Sequence, residues 1–397
     1  MTGPGFPGSL GAAEWPKRAG LQTLTDTLGA ENIRWVGGAI RDTLLGSPVS
    51  DVDCATTHLP DAIIDRCREA GIRTVPTGID HGTVTALLED GPVEITTLRR
   101  DVSTDGRRAT VAFASDWRED AARRDFTINA LYAHPETLEI SDYFGGLEDL
   151  VPRRVRFIGD ARQRIAEDHL RILRYYRFQA RFGAELDQEA EEACAALADT
   201  MKGLSRERVA DELLKLLALP DPGDTVERMF NRAVLRVILP ESALPHVELM
   251  RDVIERERQY GYAPDPLRRL AALLPPSPDV AEIVAARLRL SKAQRSVLVG
   301  TAKRLQSDRF HPKALSYDEG TDIAVNRLIL LGDSASEIRD WDIPTFPLKG
   351  GTIVARGVDA GPEVARILRA VERRWVEEGF PDEDRVAQIL DEELRAS

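Results

Sequence analysis

Val36-Gly37-Gly38-Ala39-Ile40-Arg41-Asp42, followed after a short gap by Ser50-Asp51-Val52-Asp53-Cys54-Ala55-Thr56, joins two apolar runs through a glycine pair and puts aspartates at alternate positions of the second. Side chains of an extended segment alternate between faces, so Asp51 and Asp53 share one. The Gly37-Gly38 pair lets backbone amides approach an anion closely. Arg41, one helical turn further on, adds a charge-assisted donor. Either feature alone is commonplace, the glycine pair as a turn and the DxD tripeptide as a surface loop or cap.

Outward from this stretch, short apolar runs alternate with turn signals from Ile33 to about Val155: IRWVGG, TVTALLED, VEITTLRR, ATVAFA and LEISDYFGG. That spacing predicts a strand-rich α/β region. Beyond Arg162 the periodicity becomes helical, through ERVADELLKLLAL, TVERMFNRAVLRVIL, DVAEIVAARLRLS and PEVARILRAVERRWVEE, the last read as the final amphipathic helix. Leu274-Pro275-Pro276-Ser277-Pro278 reads as a loop, and Trp341 to Gly357 as a long irregular connection.

Composition narrows the class. The apolar content is ordinary and the length suffices for two or more domains. Cys54, Cys67 and Cys194 form no CxxC pair, which argues against a disulfide framework or a structural zinc site and favours a reducing cytoplasm. A Gly/Pro-rich start without a basic stretch, and no apolar run of spanning length, argue against secretion and membrane insertion. A net charge of −13 speaks against nucleic acid, but Arg99 to Arg181 carries sixteen arginines against fourteen acidic residues, so basic charge gathers around the motifs.

Two carboxylates on one strand face suit a pair of hard cations shared with phosphate oxygens, and hence in-line nucleotidyl transfer. Three later motifs join them: Arg123-Arg124-Asp125-Phe126-Thr127-Ile128-Asn129-Ala130, Glu167-Asp168-His169-Leu170-Arg171, and the helix Leu204-Ser205-Arg206-Glu207-Arg208-Val209-Ala210-Asp211-Glu212-Leu213. An aspartate accepts from ribose hydroxyls and an arginine suits phosphate oxygens. Asp125 also has the makings of a helix N-cap, with Phe126, Ala130 and Leu131 packed inward. Glu167, Asp168 and Arg171 cluster if they lie on one continuous helix. Cytosine and adenine pair an amine donor with a ring-nitrogen acceptor, whereas uracil and guanine pair a carbonyl with a ring N–H. A carboxylate beside a guanidinium therefore complements C and A and mismatches U and G. In the third motif, Ser205 reads as a cap and Glu207, Arg208 and Glu212 as braces between helices.

Together these motifs resemble the class II CCA-adding enzymes and bacterial poly(A) polymerases of the polymerase β-like nucleotidyltransferase superfamily, over nearly the whole chain. The resemblance implies an α/β nucleotidyltransferase head, a small mixed sheet with helices, followed by an all-α neck, body and tail. The expected bounds are 1–155 for the catalytic head, 156–220 for the base-selecting neck, 221–300 for the body and 301–397 for the tRNA-binding tail. It implies template-independent addition of CCA to tRNA from CTP and ATP with two Mg²⁺ ions on Asp51 and Asp53, and Glu94 of Val93-Glu94-Ile95 as a third catalytic carboxylate.

Gly37, Gly38, Arg41, Arg124, Asp125, Asn129 and Arg174 become nucleotide-binding residues by the same resemblance, and Glu167, Asp168 and Arg171 a protein template for the base. Asp105, Gly106 and Arg107 become a flexible lever, and Lys349, Arg356, Arg366, Arg369 and Arg373 of the tail meet tRNA. A poly(A) polymerase, an enzyme adding only CC or only A, and a non-catalytic RNA-binding relative are the alternatives. The absence of a long basic C-terminal extension and the intact Asp51/Asp53 pair weigh against the first and the last. No His-Asp dipeptide suggests an appended phosphohydrolase, and no obligate protein partner is indicated.

Overall fold

The computed structural model describes residues 6–104, 109–114 and 116–396, so the expected lever at Asp105, Gly106 and Arg107 lies outside the described residues. The chain forms two compact units, Met1–Leu216 with Asp224–Ile238, and Leu217–Gly223 with Leu239–Ser397.

The first unit opens with strands β1 (Ile33–Val36), β2 (Val52–Thr56), β3 (Arg73–Gly78), β4 (Thr83–Leu88), β5 (Gly91–Thr97), β6 (Arg99–Thr104), β7 (Ala109–Phe113), β8 (Leu131–Ala133) and β9 (Ile140–Asp142). Seven of them form one mixed sheet in the order β3-β4-β5-β2-β1-β8-β9, and β6 pairs with β7 in a separate ribbon. β2 runs parallel to β5 and antiparallel to β1, so the DxD strand lies inside the sheet. Ile33, Trp35, Val52, Cys54, Ile95 and Tyr132 are buried, as central strands require.

Two strands escape the sequence pattern. β3 contains Pro76, which has no N–H for a ladder, and it sits at the sheet edge with its register broken between Val75 and Gly78. β8 occupies part of the stretch read as a capped helix. Thr127–Asn129 is instead a 3₁₀ turn, after which Leu131–Ala133 pairs with β1 and β9. Here tertiary pairing with the sheet overrides the helical reading.

Gly37 ends β1 at φ +69°, a conformation that L side chains rarely adopt, and a Cβ there would stand 3.4 Å from the Asn129 carbonyl. It leads into α1 (Gly38–Leu44). After the sheet come α2 (Ala161–Glu167), α3 (Arg171–Phe182) and α4 (Arg206–Leu217). α3 buries Ile172, Leu173, Tyr175, Tyr176, Phe178 and Phe182. Phe126 lies 4.9 Å from Phe157 and 5.2 Å from Phe178 between ring centroids, so an aromatic seam fixes α3 against the Arg123–Asp125 turn.

The second unit is helical. Glu257, buried in the helix Leu244–Tyr260, binds Arg268 at 2.7 Å and Arg269 at 2.7 Å, a paired network that compensates its buried charge. Pro362–Glu377 is not the last helix: Glu383–Ala396 follows, and Ile367, Val371 and Trp375 pack with Val386, Ile389 and Leu390. The connection from Trp341 to Gly357 contains the short helix Gly350–Ala355. Among the described residues no helix is long and apolar enough to cross a membrane. An α/β region with a mixed sheet followed by helices is the predicted fold class.

Candidate active site

Asp53 is half-buried on β2, while Asp51, just before the strand, and Glu94 on β5 are exposed. Asp53 and Glu94 are register partners, which puts these two carboxylates on the same face, and Asp51 lines the same cleft as Asp53. Burial first, then the Glu94 charge, raises the Asp53 carboxyl above its ordinary value; Arg124 opposes this and Asp51 adds to it. Among the described residues no group of three or more His, Cys, Asp or Glu side chains is gathered closely enough to hold a metal unaided. Asp51 and Asp53 nevertheless fit a hard cation: they are oxygen donors whose mutual repulsion a cation relieves, and substrate oxygens would complete its shell.

Arg41 lies deeper than a simple phosphate contact. It is 4 % exposed, donates to Asp42 at 2.8 Å and to the Asn129 side chain, and stands over Phe182 at 4.2 Å. Burial lowers its pKa although Asp42 opposes the shift. Its placement ties α1 to α3 at the floor of the site.

In the Arg123–Asp125 turn, Arg124 donates from Nε to Tyr132 Oη at 2.8 Å, and Tyr132 donates to Asp120 at 2.6 Å. Burial disfavours the Arg124 charge, but Tyr132 and Asp120 outweigh it and raise its pKa. Asp125 is not a helix cap. Its Oδ1 accepts from Phe126 N and from Asn129 Nδ2, and its Oδ2 accepts two N–H groups of Arg174 at 2.9 and 2.5 Å. Burial would raise its pKa, yet Arg174 and Asn129 dominate and pull it down to about 2.

The Glu167–Arg171 motif does not lie on one helix. α2 ends at Glu167, Asp168 is extended at φ −150°, and α3 begins at Arg171. Two contacts explain the break: Asp168 accepts from Leu170 N at 3.1 Å and from Arg208 of α4 at 2.7 Å. Glu167 accepts from Arg171 at 2.6 Å, and Arg171 also reaches the carbonyls of Arg164 at 2.7 Å and Arg123 at 3.2 Å. The Ser205 hydroxyl donates to Glu207, and Glu212 joins Arg177 at 2.7 Å to Arg174 at 3.6 Å.

These groups open onto a cleft of about 750 Å³. Gly37, Gly38, Arg41, Asp51, Asp53, Arg124, Asp125, Asn129, Asp168, Arg171 and Arg174 line it, as do Leu170, Arg177, Phe178, Arg208 and Lys215. Seven basic side chains face four carboxylates, a balance that suits a polyanionic ligand. Glu94 and Glu167 are not among the lining residues, Glu167 reaching the cleft only through Arg171. The helical sequence pattern had placed Arg208 as a brace. Its i,i+7 spacing to Lys215 was the available sign that both share a face of α4.

The tail arginines are largely engaged locally. Arg356 pairs with Asp391, Arg366 with Glu363 at 2.7 Å and Arg373 with Glu377 at 4.0 Å. Lys349 caps Gly350–Ala355 through its backbone position, and Arg369 and Arg373 line a groove of about 530 Å³ with His311 and Tyr317.

The chain is similar to known proteins in both sequence and fold. Residues 33–156 match the family described as "Poly A polymerase head domain", and residues 183–244 match "Probable RNA and SrmB- binding site of polymerase A". The chain is 36 % identical over 383 residues to the human "CCA tRNA nucleotidyltransferase 1, mitochondrial", covering 91 % of this chain and 87 % of that protein. It is 45 % identical over 188 residues to a "CCA-adding enzyme" of Streptococcus pneumoniae, 47 % of this chain and 46 % of that one. The Bacillus stearothermophilus CCA-adding enzyme solved with CTP shares the fold, with a TM-score of 0.75 and 24 % identity over 97 % of this chain and 99 % of that one. With more than a third of its residues identical to the human enzyme across nearly its full length, the chain belongs to the CCA tRNA nucleotidyltransferase family.

Proposed function

We propose that the protein adds C, C and A in turn to the 3′ end of tRNA from CTP and ATP, by template-independent nucleotidyl transfer with two Mg²⁺ ions. One observation carries the reading: a single cleft is lined by both the Asp51/Asp53 pair and the Asp168/Arg171 pair, so a carboxylate pair suited to metal and a donor–acceptor pair suited to a base edge face the same ligand.

Asp51 and Asp53 would hold the metal, with Glu94 beside them. Bound Mg²⁺ supplies Lewis acidity to the attacking hydroxyl and to the departing pyrophosphate. The tRNA 3′ oxygen attacks the α-phosphorus, the α–β phosphoanhydride bond breaks, and pyrophosphate leaves as the hydroxyl proton is lost. Arg124 meets phosphate oxygens, Asp125 and Asn129 stand at the ribose, and Arg174 keeps Asp125 ionised. Asp168 accepts from the exocyclic amine of C or A while Arg171 donates to the ring nitrogen, leaving U and G with unpaired groups at about 1–3 kcal/mol each. Head 1–155, neck 156–220, body 221–300 and tail 301–397 divide chemistry, selection and tRNA binding among them. A reducing compartment such as the cytoplasm suits these substrates and the three free cysteines.

The test is to incubate the protein with a tRNA ending at its discriminator base, with CTP and ATP separately and together, and to sequence the 3′ ends. CCA ends with both nucleotides, and CC with CTP alone, are expected. Long A tracts from ATP alone would replace the reading with a poly(A) polymerase, and addition of only CC or only A with a partial enzyme.

A further inference from the structure

Arg164 stands outside every motif the resemblance draws on, yet it is only 8 % exposed on α2 and both of its terminal nitrogens have partners. Nη1 donates to Glu167 Oε2 at 2.5 Å, and Nη2 donates to the backbone carbonyl of Arg124 at 2.6 Å. Arg171 uses the same carboxylate oxygen, at 2.6 Å, and reaches the preceding carbonyl, that of Arg123, at 3.2 Å. Two guanidinium groups thus share one carboxylate oxygen and grip consecutive carbonyls of the Arg123–Arg124 turn. Arg171 also donates to Arg164's own carbonyl at 2.7 Å, so Arg164 touches Arg171 from its backbone as well as through Glu167.

The arrangement restricts how Arg171 can face the cleft. A guanidinium is planar and presents donors in fixed directions, and a hydrogen bond weakens steeply once its angle falls toward about 120°. Without Arg164, Glu167 could turn both oxygens to Arg171 in a bidentate pair, which would rotate the guanidinium plane. With Arg164 occupying Oε2 and docked on the Arg124 carbonyl, Arg171 is referenced to the same turn that carries Arg124 and Asp125. The base-facing donor and the residues assigned to ribose and phosphate are then held in one frame.

We infer that Arg164 is a positioning residue for base selection: it sets the plane of Arg171 relative to the Arg123–Arg124 turn, and so discrimination of C and A from U and G depends on it. The inference rests on the reading that Arg171 meets the base edge.

The test uses full-length Arg164→Lys and Arg164→Gln, with kcat and KM measured for each of the four nucleotides on tRNA. Lysine keeps the charge but replaces the planar fork with a single ammonium nitrogen, so it cannot hold Glu167 and the carbonyl in the two separate directions that the guanidinium fixes. The expected result is a fall of roughly tenfold in the CTP-to-UTP and ATP-to-GTP ratios of kcat/KM, with kcat for CTP within about threefold and KM for tRNA unchanged. In the Arg171→Ala background, Arg164→Gln should lower discrimination no further. Equal loss with all four nucleotides, or unchanged discrimination, overturns the inference, and so does failure of both variants to fold, which would make Arg164 a determinant of the fold. Arg171→Ala measured alone separates the two levels. If it retains discrimination, the base-reading assignment itself falls; if it loses discrimination while the Arg164 variants keep theirs, only the role of Arg164 is wrong.

Discussion

Asp53 and Glu94 are direct register partners on the parallel strands β2 and β5, so a half-buried carboxylate looks across the ladder at an exposed one on the same face. Burial first, and then the charge of Glu94, hold the Asp53 carboxyl above its ordinary value. Such a pair is held at a cost in stability that a bound cation would relieve.

Asp51→Asn and Asp53→Asn should each lower single-turnover CTP addition on the order of 10²–10³-fold or more, equivalent to about 3–4 kcal/mol of lost charge stabilisation. Melting temperature should hold or rise, because no apolar core is removed. Glu94→Gln should be milder, since Glu94 does not line the cleft. Near-normal turnover in either aspartate variant would remove the metal assignment.

Asp168→Ala should relax nucleotide choice while leaving the phosphate contacts in place, so UTP incorporation rises relative to CTP. Arg208→Ala should do the same more weakly. The Asp168–Arg208 pair is about a third exposed, so its loss should change the nucleotide KM by roughly two- to fivefold. Sequencing of products formed in mixed nucleotides reads both effects, and identical selectivity in Asp168→Ala would leave the motif as an ion-paired scaffold only.

Tyr132→Phe removes one hydroxyl, which leaves the buried Arg124 Nε without its acceptor and Asp120 Oδ2 with only Arg124 Nη2 at 3.3 Å. The expected loss is about 1–3 kcal/mol, seen as a lower melting temperature together with a several-fold rise in nucleotide KM. A melting shift with no change in KM would confine the network to holding the fold.

Asp125, pulled down to about 2 from an ordinary 3.8, contributes stability that is fully present above its unfolded value and is lost as pH falls through that window toward 2. The contribution amounts to about 2 kcal/mol. Denaturant melts should therefore show wild type ahead of Asp125→Asn at pH 6, with the gap narrowing between pH 4 and pH 2. A gap independent of pH would assign the effect to packing and not to the charge held by Arg174.

Much of this protein was legible along the chain. Glycines after an apolar run and aspartates two apart depend only on near neighbours and on the periods of the strand and helix, so the α/β-then-α order and the meeting of Asp51 and Asp53 at one cleft could be read directly. Where a residue's partner comes from a distant segment, local pattern was insufficient. Helical periodicity runs straight through Asp168, with no glycine or proline to stop it, yet Arg208, forty residues away, holds Asp168 outside both helices. Asp125 has the composition of a cap, but Arg174 on α3 claims its carboxylate, and pairing with β1 turns Leu131–Ala133 into a strand. Arg164 carried no motif; Glu167 lies three residues further along α2, and only the meeting of α2 with the Arg123–Arg124 turn gave Arg164 its second acceptor, the Arg124 carbonyl. Periodicity specifies which face a residue takes; the partner of a buried charge is decided by which segments the folded chain brings within hydrogen-bond reach, because an unpaired charge there is too costly to leave.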